Sequence, residues 1–181
     1  MISTGKPVVT AEAQRMYGRT FATITPRVLG APVNGTPECT CEAINDGTLP
    51  VGTYPITISQ GTVTTPDVEF REGVFTIIPS SLTITAKSYT RIVGEENPEF
   101  ELSYRGFRNH ETDTVFTVRP VVTCEATADS PAGEYEINVS GAEAGNYEIT
   151  YVSGTLTVVN PTGITEIVNS ESEAAPAPRS R

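Results

Sequence analysis

Three cysteines, one histidine and two runs of carboxylates are the side chains of this 181-residue sequence best suited to reacting or binding. Cys41 and Cys124 occupy like settings, Cys39-Thr40-Cys41-Glu42-Ala43 and Val122-Thr123-Cys124-Glu125-Ala126, each a strand-like run. A thiol in such a run packs as a small apolar group, because free cysteine is among the most buried residue types. Cys39 and Cys41 are badly placed for a disulfide, since residues i and i+2 of a strand point the same way with Cα atoms about 7 Å apart. A Cys-x-Cys metal site would lack partner ligands. His110, in Asn109-His110-Glu111, reads as a turn residue. A general base needs an adjacent nucleophile or an orienting carboxylate, and no spacing here designates one. The acidic runs are Glu95, Glu96, Glu99 and Glu101, and Asp67, Glu69 and Glu72. Calcium wants several oxygen ligands, yet neither spacing matches a calcium loop, and Glu99 and Glu101 alternate as a solvated strand face would. A glycosidase pair needs two carboxyl groups about 5–9.5 Å apart across a cleft, which modules this small rarely build. The expectation is therefore a non-enzyme with no catalytic, cofactor-binding or metal-ligating residue and no cofactor.

Composition narrows the partners. Twelve Lys+Arg against 22 Asp+Glu leave a net charge of −10, which repels polyanions and excludes nucleic acid as an expected ligand. No run approaches the roughly 20 apolar residues of a membrane span, and the start, Met1-Ile2-Ser3-Thr4-Gly5-Lys6-Pro7, has no signal-peptide character. Tyr89, Tyr104, Phe107, Tyr135, Tyr147 and Tyr151 fall mostly on the apolar phase, and there is no Trp to make a sugar platform. Asn34-Gly35-Thr36 and Asn138-Val139-Ser140 are glycosylation sequons.

The elements that must position these side chains come in two copies. Pro50-Val51-Gly52-Thr53-Tyr54-Pro55-Ile56-Thr57-Ile58-Ser59 aligns with Pro131-Ala132-Gly133-Glu134-Tyr135-Glu136-Ile137-Asn138-Val139-Ser140 at an offset of 81. The segment from Val68 to Ile77 aligns with Ile149 to Val158 at the same offset, and Gly52–Gly73 and Gly133–Gly154 are both 21 residues apart. Upstream the offset drifts to 83 at Cys41/Cys124 and 75 at Val9/Ile84, as loop insertions between units of one framework produce.

Both copies read as β. Tyr135, Ile137 and Val139 alternate with Glu134, Glu136, Asn138 and Ser140, the period-2 pattern of a strand with one buried face. Tyr54, Ile56 and Ile58 keep the phase, as do Leu82, Ile84 and Ala86, and Tyr147, Ile149 and Tyr151 form a further inward row. The one helical candidate is Asn109–Phe116, ended by Arg119-Pro120. Gly52 and Gly133 suit a type II turn needing positive φ, Gly73 and Gly154 a hairpin turn or bulge, and Pro55 an edge or non-bonded position. The predicted fold is mainly β: two small β-rich modules, antiparallel sheets in a β-grasp-like or Ig-like sandwich, with at most one short helix each. The first spans 1–79, the second 82–160, and 161–181 is a Ser/Glu/Ala/Pro-rich tail or linker. Pro79-Ser80-Ser81 is read as a short linker of restricted bend between independently packed modules.

The second copy resembles the MBG-type (YGX-like) repeats of bacterial, notably Bacteroidetes, surface and secreted proteins. The resemblance rests on Ala86-Lys87-Ser88-Tyr89, Gly94-Glu95-Glu96-Asn97-Pro98-Glu99-Phe100, Tyr104-Arg105-Gly106-Phe107, Pro131-Ala132-Gly133-Glu134-Tyr135, Asn146-Tyr147 and Gly154-Thr155-Leu156-Thr157-Val158. The first copy keeps Tyr17-Gly18, Pro50-Val51-Gly52-Thr53-Tyr54 and the Gly73 strand but not the central motifs. The resemblance implies extracellular or cell-surface spacer or adhesin modules without catalysis, flanked by further domains of a longer polypeptide. The alternatives are a module binding a glycan or host protein, or an accessory part of a larger secreted enzyme. Ligand-contact loops would then hold Glu95, Glu96, Asn97, Arg105, Phe107 and Arg108.

Overall fold

The computed structural model describes residues 5–20 and 23–161; apart from Pro161, the expected tail lies outside them. The described residues before Pro79 form seven strands: β1 (Val8–Thr10), β2 (Glu12–Met16), β3 (Arg27–Leu29), β4 (Glu38–Thr40), β5 (Gly52–Ser59), β6 (Glu69–Phe70) and β7 (Gly73–Ile78). Seven more follow: β8 (Ser80–Ala86), β9 (Tyr89–Ile92), β10 (Leu102–Arg105), β11 (Val121–Cys124), β12 (Gly133–Ser140), β13 (Tyr147–Val152) and β14 (Gly154–Val159). The upstream half has sheets β3-β1-β6 and β2-β7-β5-β4; the downstream half has β10-β8-β13 and β9-β14-β12-β11. Strand for strand, the two orders are the same.

The fold is mainly β, as the alternation predicts, but each sheet is mixed. β1/β6, β2/β7, β8/β13 and β9/β14 are parallel pairs, and the other pairings are antiparallel. A parallel pair requires a long crossover, and here the intervening strands supply it. In the downstream half the register is continuous: Ser80 faces Tyr147 and Thr85 faces Val152, then Tyr89 faces Leu156 and Ile92 faces Val159. β8–β9 and β13–β14 thus travel side by side and in step from one sheet into the other. The chain comes in at one end of the half and leaves at the opposite end. In the upstream half Val8 faces Glu69 but Glu12 faces Val74, a slip of one residue at the same crossing.

Gly73 and Gly154 sit at these crossings rather than at hairpin turns. A Cβ on Gly73 would lie 2.1 Å from the Ala11 carbonyl oxygen, and one on Gly154 2.5 Å from that of Lys87. Close backbone approach, not positive φ, demands glycine there. Gly52 and Gly133 likewise are not among the glycines of positive φ. They open β5 and β12 beneath the Tyr54 and Tyr135 rings, whose hydroxyls donate to the carbonyls of Pro50 and Pro131. Pro55 lies in an internal strand, though beyond Thr57, the last β5 residue paired with β4. The helical candidate condenses to one 3-10 turn, Asp113–Val115, and the strand-like run around Cys41 ends in another, Glu42–Ile44. All three thiols are free and half-buried against the core.

The linker differs from the expected one. Ser80 and Ser81 belong to β8, so Pro79 alone separates β7 from β8, and Ser80 is fully buried. Packing also continues across Pro79. The upstream core of Val9, Ala11, Ile56, Phe75 and Ile77 runs on through Tyr17 to Leu82, Ala144 and Tyr147. A second core, Ile84, Ala86, Ile137, Val139, Leu156 and Val158, fills the downstream half alone.

Candidate functional site

The polar groups that converge most densely lie where the halves meet. β1 and β2 together carry an inward row, Val9, Ala11, Ala13 and Arg15, that ends on Tyr17. Gly18, at φ +71°, then turns the chain away. The turn is pinned to its own half, Tyr17 N–H donating to Ile78 O and Gly18 N–H to Gly47 O. Its outer side meets the downstream half. The Tyr17 ring packs edge-on to Tyr147, centroids 5.7 Å apart, and Tyr147 meets Phe107 edge-on at 6.0 Å. Gly18 faces the Arg108 side chain so closely that a Cβ there would sit 2.3 Å from Arg108 Cβ.

Hydrogen bonds complete the joint. Tyr17 Oη donates to Glu111 Oε1 at 2.6 Å, and Tyr147 Oη donates to the other carboxylate oxygen. Tyr147 Oη also accepts Arg108 N–H at 2.7 Å. Ser80 Oγ donates to Tyr17 O at 2.9 Å and accepts from Arg108 Nε at 3.2 Å. Val51 N–H donates to Asn146 Oδ1, and Asn109 Nδ2 to Gly47 O. Burial, and after it the Glu111 hydrogen bond, raise the Tyr147 and Tyr17 phenols above their ordinary value of 10.0. Both groups hold their protons as donors, which is what a carboxylate shared between two hydroxyls requires.

Each half also contains a buried arginine. Arg15 and Arg91 are 5% exposed and sit at matching positions, opposite Ile77 and Val158 in the parallel pairs. Arg15 donates to the carbonyls of Ala43, Met16 and Asp46. Arg91 donates to the carbonyls of Ile92 and Thr127 and to Asn97 Oδ1, whose Nδ2 in turn donates to Ala126 O. Asn97 thus relays a contact that Arg15 makes directly. A guanidinium suits this work because its fork of donors meets several carbonyls at once. The arginine lies in the apolar phase of its strand, and Arg15-Met16-Tyr17-Gly18 against Arg91-Ile92-Val93-Gly94 is the spacing that would have revealed it.

The six residues named as contact loops divide between opposite ends of the downstream half. Glu95 accepts Ile92 N–H, exposed Glu96 neighbours it, and Asn97 bridges Arg91, all near the end where Val93 N–H meets Val159 O. Exposed Arg105 closes β10 opposite Thr83, and Phe107 and Arg108 belong to the joint at the Ser80 end. They do not form one surface. His110 is exposed at φ 60°, and Glu101 pairs with Lys87. No cluster of three or more His, Cys, Asp or Glu suited to a metal occurs among the described residues. No helix among the described residues is long and apolar enough to cross a membrane. Tyr147 was legible as an inward residue and Glu111 as part of a turn, whereas Tyr17 was marked only by the Tyr17-Gly18 pair.

The fold defines a class, mainly β proteins built of small mixed sheets. Within that class, residues 82–157 match the MBG domain (YGX type) family, so the downstream half carries an MBG-type domain. The search of curated proteins finds no match.

Proposed function

We propose that this chain is a non-enzymatic, extracellular or cell-surface spacer within a longer bacterial protein. In this reading residues 1–79 are a second, diverged MBG-type module in tandem with the matched one. The observation that carries it is the course of the chain. Each half is crossed from one end to the other by a paired ribbon, so modules joined in series add length. The common strand order supports the tandem reading, and the Tyr17–Glu111–Tyr147 joint supports a spacer of fixed bend. The acidic net charge suits a solvated surface.

Small-angle scattering tests it. The parent should fit one arrangement of its two halves across a range of salt, and Gly18→Arg, which forces the joint open, should broaden the distribution of dimensions. A parent that already requires many inter-half angles would defeat the spacer reading. A glycan and mucin array on the same protein should be blank; reproducible, saturable capture would replace it with the adhesin reading.

A further inference from the structure

We propose that the paired ribbons are mechanical clamps, so that a pull on the chain ends is resisted by shear of parallel ladders. The spacer reading on which this rests supplies only the origin of the load. In the downstream half, force comes in at the Ser80 end of β8 and leaves at the Val159 end of β14. These ends belong to adjacent parallel tracks, β8–β9 and β13–β14, with six cross-strand pairs in the first sheet and four in the second. Tension along the chain draws one track against the other lengthwise. Every ladder hydrogen bond then lies across the load and shares it, so the bonds must yield together rather than one at a time as when a hairpin is peeled.

Side chains reinforce the tracks. Leu82, Ile84 and Leu156 are fully buried, and Ala86 and Val158 are 2% exposed, so water has little access to compete for the inner bonds. At the crossing, Thr155 N–H donates to Ser88 Oγ, which ties the tracks where they change sheet. The upstream half has the same geometry with less of it: two pairs between β1 and β6, five between β2 and β7, and the slip between them. Its ladder is the shorter and interrupted one, so it yields first. Pro79 places the two clamps in series, and Ser80, bonded to both Tyr17 O and Asn146 O, anchors the passage between them.

Forced unfolding reads the barrier to rupture, and pulling direction selects the barrier. The full chain is held in an optical or force-microscope tether in two geometries at one loading rate. In the first, handles are on the chain ends. In the second, azide-bearing residues replace exposed Ala132 and Asn160, next to the paired Gly133 and Val158 of antiparallel β12 and β14, so the load peels that ladder. The end-to-end geometry should need several-fold more force, for both of its rupture events, than the peeling geometry. End-to-end forces equal to or below the peeling force would overturn the clamp. That result would leave the spacer reading standing, whereas array capture would remove the spacer and leave the force ratio untouched.

Discussion

Replacing Tyr17 by Phe removes one oxygen from the joint and keeps the ring that packs against Tyr147. The lost hydroxyl donates to a Glu111 carboxylate oxygen at 2.6 Å, a short bond to a charged acceptor. Bonds to charged groups contribute about 1.5–3 kcal/mol, against about 0.5–1.5 for neutral ones. Tyr17 is 3% exposed, but Glu111 is only half-buried, so water partly rehydrates the abandoned oxygen and pulls the loss toward the middle of the range. The expected cost is about 2 kcal/mol, roughly a thirty-fold change in the unfolding equilibrium at 1.4 kcal/mol per decade. Urea titration should show a lower midpoint with an unchanged slope, since little surface is altered. Tyr147→Phe removes the other donor to the same carboxylate, so the double variant should depart from additivity by more than about 0.5 kcal/mol. Tyr54→Phe is the control: its hydroxyl donates to the neutral Pro50 carbonyl, outside the joint, and should cost about 1 kcal/mol or less. A Tyr17→Phe midpoint equal to the parent's, or costs that add, would refute the shared-carboxylate account.

Arg91→Lys leaves the Thr127, Ile92 and Asn97 acceptors to a group without a planar fork, and should cost about 3 kcal/mol by thermal or chemical unfolding. Gly154→Ala should cost about 1–3 kcal/mol, because its methyl meets the backbone oxygens of Lys87 and Ala86. Gly145→Ala, with nothing within 4 Å of the added carbon, should stay within about 0.5 kcal/mol by the same assay. Stability should also fall in alkali. The folded phenols of Tyr17 and Tyr147 titrate above 10.0 and the unfolded ones near it, so above that pH the folded state holds more protons and loses stability as pH rises. Their contribution is intact below pH 10.0, and the Tyr17→Phe/Tyr147→Phe variant should show a shallower alkaline limb in pH-dependent unfolding.

Period-2 alternation made the β-strands legible, and the rows Leu82-Ile84-Ala86 and Tyr135-Ile137-Val139 are inward in the fold. The direction of a strand leaves no such mark. A residue with period 2 looks alike in a parallel and an antiparallel ladder, so the paired ribbons were invisible. The glycines were recognised as structural, but Gly73 and Gly154 serve close approach between segments distant in sequence, which local turn rules do not report. Tyr147 was visible as an inward residue and Tyr17 only as part of the Tyr17-Gly18 pair, without a sign that the two face one another. Glu111 stood in a presumed helical turn, where a carboxylate ordinarily faces water.

The joint has a sense of direction. By register, Thr65-Pro66 and Pro32 of the upstream half stand where the downstream half has Asn146-Tyr147 and Arg108, and Val93 stands where the upstream half has Tyr17. A head-to-tail contact that can be repeated builds rings or open filaments between molecules. Among the described residues plug and socket occur once each and satisfy one another within the same chain. Among the described residues the outer end of each half carries neither plug nor socket, so this contact is not repeated there.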